Sequence, residues 1–363
     1  MNVERLHRIA LDLKSDLKRH KIIALMQNVR DSLQNAVNNP AHGPYQTELV
    51  THLDSLYNAL EHSDYNEYSP GWKEIIDEIS SEILFGIPLE ENIQAIFSQN
   101  TITPAKALED IIKIHDGIVN FDSALTSIIS AFGTLNIEEE DLEPGQCELG
   151  YMIPRKYVKN KLSALKKEIN ELNFILNSIS EAVTGEKQEF EVKTISSSDF
   201  LLYILIGLSV GNVLSKATER ILNHYKQILE IKLLRNQLKE KGVPASKTKA
   251  IETHTNSMME EEIKLIAKEV ITEYYTGKDN ARKNELENSV VISLNKLANR
   301  IDHGFNVEIR VEPLPQPAEG ATVSKEQQTK INLVKSIQQS SKNIQFIETD
   351  GESILELPEG KTE

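Results

Sequence analysis

The nine histidines of this 363-residue chain are the side chains best suited to move protons or bind a metal near neutral pH. Their spacing matches no HExxH or comparable ligand motif. His254 stands close to the acidic residues at 260–262, but this spacing fits no ligand pattern and indicates a solvated helix start. His303 followed by Gly304 is typical of a helix C-terminus. The full set is His7, His20, His42, His52, His62, His115, His224, His254 and His303.

The remaining reactive groups form no recognisable catalytic arrangement. The acidic run at 138–141 lacks the alternating oxygen ligands and central glycine of a calcium loop, so we predict a solvated turn. The serines at 196–198 have no adjacent histidine or lysine that would activate a nucleophile. The single cysteine, Cys147, excludes an intrachain disulfide and is predicted to be half-buried. We therefore predict no catalytic, cofactor-binding or metal-ligating residues, and an enzyme would need a site assembled from distant residues.

The charge pattern bears on the class of partner. A net charge of −15 argues against nucleic acid, because phosphate contacts need a basic face. Two basic clusters could contact an anionic membrane or an acidic partner, although solvated helix faces neutralised by the acidic remainder are favoured. These clusters are Arg5, Arg8, Lys14, Lys18, Arg19 and Lys21, and Arg155, Lys156, Lys159, Lys161, Lys166 and Lys167.

The stretch SSSDFLLYILIGLSVGNVLSK at 196–216 carries no charge between 200 and 215. A membrane-spanning helix needs about 20 apolar residues, and these residues would cover roughly 24 Å as a helix. We predict a helix capped by Ser198 or Asp199 and buried in a soluble core; conditional membrane insertion and a permanent span are the alternatives. The residues on which this prediction rests are Leu201, Leu205, Gly207, Gly211 and Leu214.

The helix predicted over 158–179 has the most regular pattern in the chain. Its apolar residues alternate at spacings of four and three, which is typical of a coiled-coil seam or of a helix in a globular bundle. We predict that this seam mediates packing or assembly. Its residues are Leu162, Leu165, Ile169, Leu172 and Leu176.

Short strands are predicted at 148–154, 189–196 and 305–313, with a C-terminal hairpin at 343–358 turning at TDGE. These strands must pair with one another, so the predicted fold is α+β and predominantly helical, a long-helix bundle with one small sheet built from short late strands. The predicted domains are a helical region at 1–100, a bundle with the sheet at 101–314, and a linker, short helix and hairpin at 315–363.

The middle of the chain resembles a group of bacterial proteins of unassigned function. The similarity lies in LEPGQCELGYMIPR at 142–155, FEVKTISSSDF at 190–200 and KQILEIKLLRNQLKEKGVP at 226–244. It covers about 140–312, roughly half of the chain, and its motifs are structural in type. The resemblance implies an interaction or assembly module, with a role in a bacterial defence or stress locus, and it implies no catalytic residues.

These features predict a cytoplasmic helical interaction or assembly protein that binds a protein partner or associates with itself. The N-terminus is charged and lacks the apolar region of a signal peptide. A membrane-active, pore-forming-like effector that uses 200–215 is the first alternative, and an enzyme is the second. Membrane contact is not the favoured interpretation, nucleic acid is disfavoured, and no cofactor is predicted.

Overall fold

A computed structural model describes residues 2–80, 82–195, 200–242, 249–315, 324–347 and 353–360. The chain divides into two compact units, Met1–Asp141 and Leu142–Glu363. The described part is predominantly helical with one four-stranded antiparallel sheet, which confirms the predicted α+β fold class. In the first unit, the helix over 104–134 packs on the first two helices. The predicted division into 1–100, 101–314 and 315–363 stays a prediction.

The first unit is built from helices around an apolar core. A break between its first two helices falls at Lys21, whose φ of 54° is left-handed. Proline begins the last helix at Pro104, a position where its fixed φ and missing N–H are tolerated. The helices are α1 (Val3–Arg19), α2 (Ile22–Asn38), α3 (Gly43–Glu61), α4 (Pro70–Ser80), α5 (Gly86–Gln99) and α6 (Pro104–Thr134), with a 3-10 helix at Asp64–Glu67.

Much of the basic cluster on α1 is paired within the first unit. The guanidinium of Arg5 donates to both carboxylate oxygens of Glu140, at 2.6 and 2.9 Å, and both residues are buried. Lys14 lies 2.8 Å from a carboxylate oxygen of Asp122. The prediction of a solvated turn at 138–141 is therefore wrong at Glu140, because a buried guanidinium on α1 requires a carboxylate beside it.

The second unit places its sheet in the order β2-β3-β1-β4, with every neighbouring pair antiparallel. Strands appear at the three predicted places, 148–154, 189–196 and 305–313, and those at the first and last places are buried. The strands are β1 (Cys147–Ile153), β2 (Glu191–Ile195), β3 (Phe200–Ile206) and β4 (Asn306–Val311). The helices are α7 (Arg155–Val158), α8 (Leu162–Thr184), α9 (Leu208–Glu240), α10 (Lys249–Tyr274), α11 (Asn280–Asp302) and α12 (Lys325–Lys342).

The helix prediction for 200–206 is wrong, because these residues form β3 and pair along their whole length with β1. A continuous apolar run is compatible with a buried strand or a buried helix, and pairing with β1 decides between them. The helix starts only at Leu208, and the predicted cap at 198–199 lies outside the described residues. Among the described helices, none combines the length and the apolar character that crossing a membrane requires.

The predicted C-terminal hairpin is not formed by the described residues. Residues 344–347 and 353–360 adopt no strand conformation, and the predicted turn at 349–352 lies outside the described residues. The short helix predicted within 315–363 is present as α12, and Ser324 forms a capping box with Gln327 at its start. Residues 353–360 instead contact side chains of α10 and α11 through their main-chain atoms.

Replacing Gly211 by alanine is expected to destabilise the protein by about 1–3 kcal/mol. Alanine normally stabilises a helix relative to glycine. Here, however, an added Cβ would overlap the sulfur of Cys147, because α9 crosses β1 closely at this point. Urea denaturation followed by circular dichroism would measure the change.

The matched control is Gly207→Ala, since nothing lies within 4 Å of the position of its added Cβ. We expect the control to change stability by less than about 0.5 kcal/mol. In a Cys147→Ala background, the cost of Gly211→Ala should disappear because the obstructing sulfur is gone. A cost that persists in that background would show that contact with the sulfur is not the cause.

Candidate functional site

The predicted seam on α8 is divided between surface and core. Leu162 is 82% exposed and Ile169 is 40% exposed, whereas Leu172 and Leu176 are buried in the core of the second unit. Leu165 is half-buried against that core. The split arises because the first half of α8 turns two glutamates inward in place of the apolar residues. That the seam mediates assembly stays a prediction.

The other predicted set of residues lies partly in β3 and partly in α9. Leu201 is buried and Leu205 is half-buried, both in β3. Gly207 separates the strand from the helix, and Gly211 lies against Cys147, which is buried rather than half-buried. Leu214 is buried within α9.

Four charged side chains are buried together between α8 and α11, and we call them the buried charge cluster. Arg300 donates from Nε to Glu168 at 2.8 Å, and the Lys296 ammonium lies 2.7 Å from Glu171. Each of these residues is at most 5% exposed. Burying a charge is costly unless an opposite charge compensates it, so each member depends on its neighbours.

The charges of this cluster and the burial around it shift the pKa values of Tyr151 and Arg300. Burial raises the pKa of the Tyr151 hydroxyl, and the neighbouring Arg300 cation offsets only part of this rise. Burial acts to lower the pKa of Arg300, but the charges of Tyr151, Glu168 and Glu359 outweigh it and raise that pKa. The arginine is therefore positively charged at neutral pH.

One face of α11 presents polar side chains beside the cluster, and we call Asn295, Asn299 and Asp302 the polar ladder. They are four and three positions apart, which places them on the same face of a helix. All three are buried, at 3%, 7% and 2% exposure. They contact residues 353–360, which we call the C-terminal segment.

Asn299 and Asp302 of the polar ladder bind main-chain atoms of the C-terminal segment. The amide of Asn299 bonds the N–H and the carbonyl of Leu357, each at 3.0 Å. One carboxylate oxygen of Asp302 accepts the N–H groups of Ile354 and Leu355, at 2.5 and 2.7 Å. Side chains thus supply the hydrogen bonds that a neighbouring strand would supply in a sheet.

Two further asparagines contact the main chain of the same segment. From α10, Asn256 accepts the N–H of Glu356 at 2.8 Å and donates to the carbonyl of Ile354 at 3.4 Å. Asn295 donates to the carbonyl of Pro358 at 2.8 Å. Three asparagines and one aspartate therefore form hydrogen bonds with the main chain between residue 354 and residue 358.

Side chains of the C-terminal segment add two other kinds of contact. Ile354, Leu355 and Leu357 are each at most 4% exposed. The carboxylate of Glu359 lies 3.4 Å from the Arg300 guanidinium, so the segment also contacts the buried charge cluster. Main-chain bonds, apolar burial and the contacts of Glu359 with Lys296 and Arg300 together hold the C-terminal segment, and we call the surface that holds it the groove.

Neither the polar ladder nor the buried charge cluster was predicted from the sequence. Asn295, Asn299 and Asp302 interrupt the apolar pattern of α11 with a helical period, and this was the available signal. A polar face on a helix is usually solvated, so the pattern by itself does not indicate burial.

Comparison with known proteins adds no relative: no family model, no curated protein and no solved structure matches the chain.

Proposed function

We propose that this protein is an interaction and assembly protein that binds extended peptide segments along the polar ladder. The observation that carries the proposal is the recognition of the C-terminal segment through its main chain by Asn256, Asn299 and Asp302. A groove that bonds the main chain accepts a segment whatever chain supplies it. The same eight residues of a second copy would make the same contacts.

Exchange of the C-terminal segment between copies is the form of assembly that we propose. Swapping an identical element between protomers is a low-cost route to a dimer, because every interaction that opens within a chain forms again between chains. The segment pairs with side chains rather than with a strand, so its departure leaves the sheet intact. The segment of the same chain is present at a high effective concentration and outcompetes the segment of a second copy. Binding between copies can therefore be detected when intramolecular binding is prevented.

Two complementary variants prevent the C-terminal segment from binding the groove of its own chain. Asn299→Ala with Asp302→Ala disables the groove and leaves the segment intact, whereas Leu355→Asp with Leu357→Asp disables the segment and leaves the groove intact. We expect differently tagged copies of the two variants to co-purify when mixed, because one chain then offers a segment to the vacant groove of the other. Pull-down and analytical ultracentrifugation would measure the complex.

Mixtures of two differently tagged copies of the segment-disabled variant are the control, and we expect no complex from them. Circular dichroism checks that both variants are folded. A labelled synthetic peptide of residues 353–360, titrated onto the segment-disabled variant, tests the groove separately. Absence of both the mixed complex and peptide binding would contradict the proposed function, and peptide binding without a complex would contradict exchange alone.

The setting that we propose for this assembly is the cytoplasm. The lone cysteine supports this setting, because a chain with one buried thiol has no intrachain disulfide that an oxidising compartment would stabilise. Burial raises the pKa of the Cys147 thiol, so it stays protonated and unreactive at neutral pH.

A further inference from the structure

A second cluster of titratable side chains lies in the first unit, on α1 and the 3-10 helix. Asp16 and His20 are four residues apart on α1, so their side chains share one face of the helix. Asp64 begins the 3-10 helix and completes the group. One ligand atom from each residue lies within 4.8 Å of the others.

Hydrogen bonds hold the carboxylate of Asp16 in place. It accepts the hydroxyl of Ser63 at 2.6 Å and the main-chain N–H of Asp64 at 2.8 Å, and Asp16 is 1% exposed. These bonds fasten the 3-10 helix to α1. An ionised carboxylate has about four lone-pair sites, so both bonds leave Asp16 able to bind an ion.

Two buried polar atoms beside these carboxylates have no hydrogen-bond partner in the described part of the chain. They are Nε2 of His20 and the hydroxyl of Tyr68. The His20 nitrogen lies 3.6 Å from the Asp16 carboxylate. A buried polar atom without a partner is costly, so the imidazole nitrogen beside two carboxylates is a candidate ligand atom for a cation.

The electrostatic environment is negative at this point. Burial raises the pKa of the Tyr68 hydroxyl, and the carboxylates of Asp12, Asp16 and Asp64 raise it further. The charge of Arg19, which pairs with Asp64 at 2.6 Å, opposes this rise. A divalent cation would neutralise the excess negative charge and would face the unpaired imidazole nitrogen.

We propose that Asp16, His20 and Asp64 bind a divalent transition-metal ion. One imidazole nitrogen with two carboxylate oxygens is a mixed ligand set that suits zinc, iron or manganese better than calcium or magnesium. The Asp64 side chain is 38% exposed, so solvent reaches the site and water can fill the remaining coordination positions. The ion joins α1 to the 3-10 helix, and this role is independent of the peptide groove in the second unit.

Titration of the metal-free full-length protein with Zn²⁺, followed by calorimetry, tests the proposal. We expect one ion per chain and an increase in the melting temperature, because an ion that binds only the folded state stabilises it. His20→Gln should raise the dissociation constant by about tenfold or more. The matched control is His42→Gln, an exposed histidine of the same unit, which should leave binding unchanged.

Asp64→Asn provides a second test that spares the hydrogen bonds of Asp16, because Asp64 contacts that carboxylate through its main-chain N–H. Asp64→Asn should also weaken Zn²⁺ binding. Co²⁺ bound to the wild type should give a visible absorption spectrum, and His20→Gln should abolish this spectrum. Failure of the wild type to bind Zn²⁺ would overturn the proposal. So would binding that both variants retain at full strength, since the ion would then lie elsewhere.

Discussion

Replacing Arg300 by methionine is expected to lower the free energy of unfolding by about 3–5 kcal/mol. The substitution preserves much of the side-chain volume but leaves Glu168 buried without the guanidinium that lies 2.8 Å from it. It also leaves Lys296 as the remaining cation of the buried charge cluster beside two glutamates. Urea denaturation monitored by circular dichroism would measure the change.

The control combines Arg300→Met with Glu168→Gln, which removes the charge that the first substitution leaves uncompensated. We expect the double variant to be more stable than Arg300→Met alone. The double-mutant cycle would then give a coupling energy of about 0.5–3 kcal/mol. Additive effects of the two substitutions would contradict a direct interaction between these side chains.

Asp302→Ala is expected to destabilise the protein by about 3 kcal/mol and to release the C-terminal segment. The Asp302 carboxylate accepts three buried donors, which are the N–H groups of Ile354 and Leu355 and the hydroxyl of Tyr225. Alanine offers no acceptor to any of them. Hydrogen exchange at the amides of residues 354 and 355 would report the release, and denaturation would report the loss of stability.

Tyr225→Phe is the matched control, because it removes only the bond to Oδ1 of Asp302 and leaves Oδ2 to the segment. We expect a loss of about 1 kcal/mol and unchanged exchange at residues 354 and 355. Rapid exchange at these amides in the control, or protection that survives in Asp302→Ala, would contradict the assigned role of the ladder.

Local periodicity accounts for most of the helices and for three of the strands. In α1 the apolar positions recur at helical spacing, and Val307, Ile309 and Val311 alternate along β4, so each pattern specifies its own element. Periodicity fails at 200–206, where nearly every residue is apolar. There the conformation depends on pairing with β1, whose residues lie about 50 positions earlier in the chain.

The candidate sites depend still more on distant contacts. Asp302 and Leu355 are far apart in sequence, and nothing local marks an aspartate on a helix as a partner for a main-chain N–H group. In the first unit, the pair Asp16 and His20 was visible as a helical spacing of four. Asp64 joins this pair only because its main-chain N–H reaches Asp16.

The edge strand β2 bears on how copies of this protein could associate through their sheets. At β2 the pairing shifts register between Val192 and Thr194, so regular hydrogen bonding is interrupted in a strand of only five residues. Val192 and Ile195 are exposed there, and a straight strand with these side chains would be a template for open-ended fibre growth. The irregular edge disfavours that growth, whereas reciprocal exchange of the C-terminal segment between two copies, as proposed above, would give a complex of finite size.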